Sequence, residues 1–175
     1  KRRVPDCSLC VEVAYLDINQ MRSTFTELAT LLLGDAKQAK SFMSKAKLHS
    51  MEELEDSWWN LYEKLLSTGR ARELSLKIEL EDFLYYVQKL IHNKNLSTDE
   101  NLTGDVSIDT SAFDDSQCIG DWCAHLNSTW KKYKLVDMDI GTDSLVLMVL
   151  SNEEFKRAQE LAKELLHRID VAERL

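Results

Sequence analysis

Residues 145–150 read LVLMVL, six apolar positions in a row with none left to face water. A strand sends successive side chains to opposite faces, so a run like this must be covered on both sides. It therefore predicts a central strand, and a sheet with something packed on each face. The residues before it supply the way in. In DIGTDS, residues 139–144, Gly141 tolerates positive φ, and Thr142, Asp143 and Ser144 are turn formers. An antiparallel hairpin connection over 139–145 follows, with Gly141 left-handed and a partner strand over 134–140. After the apolar run, Ser151 or Asn152 caps a helix that turns Phe155, Ala158, Leu161, Ala162 and Leu165 inward. Ile169 and Val171 then suggest a short last strand.

The N-terminal half has helical period. Asp17 with Gln20 makes a box-like start, followed by Ile18, Met21, Phe25, Leu28 and Leu32, and Gly34 supplies a stop. Asp35 opens a second helix, with Ala39, Phe42, Met43 and Ala46 on one side. Ser50 and Glu53 form a capping box for a third, which buries Leu54, Trp58, Leu61 and Leu65 and ends at Gly69. In ELSLKIEL the period changes to two, which predicts a half-buried strand over 74–80. A helix from about Asp82 buries Phe83, Leu84, Val87, Leu90 and Ile91. Another over roughly 116–131 buries Ile119, Trp122, Leu126 and Trp130. Between them, residues 93–117 are rich in Asn, Asp, Ser and Thr. So long a connection is a functional loop or a mobile insertion, and the insertion is preferred.

The expected fold is α+β: a small, mostly antiparallel sheet with a C-terminal hairpin, covered by helices, plus an N-terminal helical segment. Residues 1–175 are read as one such domain, mainly helical over 1–70, with a polar loop over 93–117.

The formal charge of −8 opposes binding to phosphate backbones, so no nucleic-acid partner is expected. There is no basic amphipathic stripe and no apolar run long enough for a bilayer, so no membrane partner is expected either. Four cysteines are few for a disulfide scaffold and no signal peptide is visible, which points to a reducing, cytoplasmic compartment. Sequons at Asn95, Asn101 and Asn127 carry almost no weight without a secretion signal.

Asp139-Ile140-Gly141-Thr142 resembles the first phosphate loop of the sugar-kinase and actin-like superfamily. Too little chain follows for the second loop and the adenosine site, so the hairpin reading prevails. As a haloacid-dehalogenase-like loop it has Ile140 where Gly belongs, and as a calcium loop it has Met148 where the bidentate Glu belongs. Asp137 and Asp139 share one strand face. They could hold a cation or do acid–base work, but a solvated face is the more common case. Cys7 and Cys10 have metal-ligand spacing, but Cys118, Cys123 and His125 do not complete a zinc site cleanly, so no metal is expected. The remaining histidines, His49, His92 and His167, are scattered, and no motif implies a cofactor. Of the aromatic pair Trp58-Trp59, Trp58 sits at core spacing. Trp59 should face outward, a reasonable binding anchor.

The stretches ELSLKIELEDFLYYVQKL, IGDWCAHLNSTWKKYKLVDMDIGTDSLVLMVL and FKRAQELAKELLHRID resemble an uncharacterised bacterial family of unknown function. The resemblance covers roughly the last hundred residues and implies no activity. Two functional readings stand. The first is a non-enzymatic protein-binding domain of accessory or immunity type, whose acidic surface meets a basic partner protein and whose candidate binding residues are Asp137, Asp139, Asp143 and Trp59. The second is a metal-dependent hydrolase or phosphoryl-handling enzyme using Asp137, Asp139 and Asp143.

Overall fold

The computed structural model describes residues 17–94 and 106–173. Cys7, Cys10, Asn95 and Asn101 lie outside them. The described chain is α+β. Strands β1 (Ala71–Ser75), β2 (Tyr133–Met138), β3 (Ser144–Ser151) and β4 (Ile169–Val171) form one sheet in the order β1-β3-β2-β4. Every pairing is antiparallel. The apolar strand β3 is interior, with Leu74 opposite Leu145 on one side and Val136 opposite Met148 on the other.

Alternate residues of β3 serve different cores. Val146, Met148 and Leu150 pack with helices α1 (Ile18–Leu33), α2 (Ala36–Met43), α3 (Met51–Ser67) and α6 (Asn152–Glu164). Leu145, Leu147 and Val149 pack with α4 (Leu80–Asn93) and α5 (Ile119–Thr129). This is the double cover that residues 145–150 require, and it makes three layers with the sheet in the middle.

Caps and turns follow local chemistry. Ser50 accepts from the Glu53 N–H, and the Glu53 carboxylate reaches back to the His49 N–H at 2.8 Å. Ser151 and Glu154 form a reciprocal capping box on α6. Gly34 ends α1 at φ +63°. The expected cap at Asp17 does not form, since its side chain accepts no bond from the first turn. The β2–β3 hairpin is present, with Gly141 at φ +71° and open space where a Cβ would sit.

Three expectations are corrected. The strand expected over 74–80 is β1 at Ala71–Ser75, which begins three residues and ends five residues earlier. Ser75 is paired with Ser144, the first residue of β3, so nothing lies beyond it to pair with residues 76–80. Instead the Ile78 N–H turns back to the Ser75 carbonyl and leaves Leu76 exposed. Helix α5 is shorter than 116–131, because Cys118 and Asp121 form its capping box and Trp130 turns extended. The segment 93–117 is polar, but its second half is docked. Val106 is buried, Trp130 Nε1 donates to the Ser107 carbonyl at 3.2 Å, and Trp122 Nε1 donates to the Asp114 carbonyl at 3.0 Å.

Asn127 is buried. Its amide donates to the Leu135 carbonyl (2.9 Å) and its oxygen accepts from the Leu135 N–H (2.8 Å), pinning α5 to β2. A glycan there would remove that clamp. Among the described residues no helix is long and apolar enough to cross a membrane.

Candidate functional site

At one end of the sheet, β2 leaves for the hairpin loop, β4 begins, and α3 passes alongside. Trp58 of α3 is fully buried and its Nε1 donates to the Asp139 carbonyl at 2.9 Å. This bond ties the loop to the helix. Asp139 does more. Its N–H donates to the Arg168 carbonyl at 3.0 Å. One carboxylate oxygen accepts from the Gly141 N–H at 2.8 Å, and the other from Arg168 Nε at 3.2 Å.

His167 lies flat on Trp58, with ring centroids 4.0 Å apart and planes 7° from parallel. Its side chain is 10% exposed, and its Nε2 is buried without a hydrogen-bond partner. Among the described residues the nearest carboxylate is Glu55 of α3, 3.7 Å away, beyond hydrogen-bond range. Burial pushes the His167 pKa down, against the opposing pull of Glu55 and Asp139. At neutral pH the ring is uncharged and able to accept a proton donor.

The backbone places His167 there in an unusual way. Leu166 follows α6 at φ +61°, a left-handed conformation that normally belongs to glycine. Its N–H donates to the Lys163 carbonyl and the His167 N–H to the Ala162 carbonyl, the bond pair of a Schellman ending. Leu166 is 70% exposed, and Trp59, which lines the same depression, is 42% exposed and edge-on to Tyr62. Trp59, Leu166, His167, Glu55 and Asp139 line a depression of about 330 Å³.

A larger hollow of about 550 Å³ lies between the end of α2 and α3, lined by Phe42, Asn60, Glu63 and Lys64 among others. It holds no strained backbone and no unpartnered buried group, so the smaller depression is the better candidate.

Of the residues singled out in the sequence, Asp139 and Trp59 meet in this depression. Asp143 stands exposed on the loop, away from it. Asp137 is half-buried rather than solvated. It has the strand parity of Leu135, facing the α4–α5 layer, and accepts from the Val146 N–H at 2.8 Å. Burial raises its pKa. Asp139 lies past the end of β2, so the two carboxylates do not present one strand face. Among the described residues no three His, Cys, Asp or Glu side chains group so as to hold a metal ion. Cys123 is buried, which pushes its thiol pKa far up, while Cys118 is exposed at the start of α5. Sequence reasoning missed Glu55, Leu166, His167 and Arg168. One signal was readable: four residues join α6 to β4 and none is glycine.

No curated protein and no solved structure matches the chain. The model of a family described as a domain of unknown function, DUF6630, matches residues 20–172. The match is wider than the last hundred residues and takes in α1, α2 and α3. Physically these helices are indispensable, since with α6 they cover one whole face of the sheet. The chain belongs to the DUF6630 family.

Proposed function

We propose that this chain is a non-enzymatic protein-binding module, and that it meets a basic partner protein at the depression between α3, the hairpin loop and the end of α6. The observation that carries this reading is Leu166, a large apolar side chain 70% exposed on a left-handed backbone, lining the same depression as the half-exposed indole of Trp59. A glycine would relieve the backbone, and solvent exposure gives leucine no folding role to offset the strain. Tryptophan is among the residues most enriched at binding hot spots, and an apolar neighbour helps to exclude water around it. The net charge of −8 favours a basic partner, speeds encounter at low salt and disfavours nucleic acid.

The test uses the partner recovered by cross-linking in native cells and then purified. Trp59→Ala should weaken its affinity roughly tenfold or more, and rising salt should slow its association. A partner that binds Trp59→Ala and the parent equally would overturn the reading. So would a divalent-metal-dependent hydrolysis abolished by Asp139→Asn, which would make Asp139 part of an enzyme site.

A further inference from the structure

We infer that the depression takes one arginine side chain of the basic partner, stacked on Trp59 and hydrogen-bonded by Glu55 and His167. This rests on the binding reading above and names what that site recognises.

His167 Nε2 is buried with no partner, in a side chain 10% exposed, which is an uncommon condition for a polar atom. Burial holds the ring toward its neutral form, and in the Nδ1–H tautomer Nε2 accepts a hydrogen bond. The Glu55 carboxylate lies 3.7 Å from it and is itself 59% exposed. Two acceptors at that spacing suit a forked donor. Guanidinium presents planar, divergent N–H groups, whereas ammonium is a compact point charge.

Charge agrees. Asp139 is already matched by Arg168, at 3.2 Å. Among the described residues Glu55 has only the long approach to a neutral imidazole, so the unbalanced charge of the depression is negative. An anion would meet Glu55 head-on and would need His167 protonated, which burial opposes. Trp59 adds a half-exposed indole beside the carboxylate, and its face attracts a cation. Seating the guanidinium requires Glu55 to swing slightly off His167, which an exposed glutamate on a helix surface allows.

The experiment titrates the full chain with Nα-acetyl-arginine methylamide, and in parallel with the lysine and citrulline analogues, while the His167 ring and Trp59 indole resonances are followed by NMR. The arginine analogue should shift both resonances saturably at millimolar concentration and lower the apparent pKa of His167, because a cation is brought beside it. Citrulline, neutral and nearly isosteric, should do neither. Glu55→Gln, at an exposed position, should keep the thermal midpoint and weaken the arginine response by about threefold or more. No saturable shift up to about 100 mM, an equal response to citrulline, or a stronger response to lysine would overturn the inference. A partner that loses affinity on Trp59→Ala while the arginine analogue is silent would leave the docking face standing and remove the arginine. The reverse result would keep the pocket chemistry and remove the docking face.

Discussion

Two left-handed residues, Gly141 and Leu166, have nearly the same φ, +71° and +61°, and opposite fitness for it. At Gly141 there is open space around the missing Cβ, so a substitution is opposed by backbone strain alone. Gly141→Val should lower folding stability by about 1–3 kcal/mol, and Gly141→Asn by less, because asparagine tolerates this region. At Leu166 the sign reverses. Leu166→Gly relieves strain of about 1–2 kcal/mol and gives back about 0.4–1 kcal/mol through the freer unfolded chain, so urea denaturation should show unchanged or higher stability. The same variant should bind the partner more weakly. A variant that is markedly less stable would mean that Leu166 serves the fold. His167 adds a pH dependence. Its folded pKa is lowered, so the stability it contributes is full above the ordinary value of about 6.5 and is lost as pH falls through the lower folded value. Denaturation midpoints should therefore drop from pH 7.5 toward 5, and His167→Gln should flatten that part of the slope. Asp137 acts with the opposite sign, since its pKa is raised and its charge is disfavoured by the fold.

Elements depend on what their neighbours can pair with. The strand over residues 145–150 was legible because six apolar residues admit no exposed face. Strand β1 was legible in kind but not in place. Leu74, Leu76, Ile78 and Leu80 alternate perfectly, yet β3 begins opposite Ser75, and a strand cannot extend past its partner. No pattern within residues 74–80 contains that fact. Helix α5 shows a similar limit. Its apolar stripe was readable, but its attachment to β2 runs through Asn127, whose side chain imitates a strand neighbour of Leu135. Asn127→Leu keeps the branched shape and the number of heavy atoms and removes both bonds. It should lower stability by about 1–3 kcal/mol, measured as a shift of the urea midpoint at unchanged slope. An effect near zero would show that other groups replace the clamp.

For the whole molecule, β3 gives Val146, Met148 and Leu150 to one core and Leu145, Leu147 and Val149 to the other. We propose that the two cores form one cooperative domain for this reason. Near-ultraviolet circular dichroism reports Trp58 in one core and Trp122 and Trp130 in the other. It should lose its signal at the same urea concentration as the far-ultraviolet band. Two separated transitions would contradict this. The candidate site was only half legible at this scale. Trp59 and Asp139 stood out as a spare aromatic and a turn aspartate. His167 and Glu55 lie more than a hundred positions apart, and the stack on Trp58 joins them only after α3 and α6 lie on the same side of the sheet. The acidic charge pointed to a basic partner, but no local motif placed the face that would meet it.

The β1-β3-β2-β4 arrangement seals the most adhesive strand inside the sheet and leaves short strands at both borders, five residues in β1 and three in β4. The borders carry Arg72, Glu73 and Asp170, and Gln159 donates to the Asp170 carboxylate. Charged, abbreviated borders discourage one sheet from zipping onto another. A chain whose central segment would aggregate readily on its own thus stays guarded for as long as the hairpin holds that segment between its neighbours.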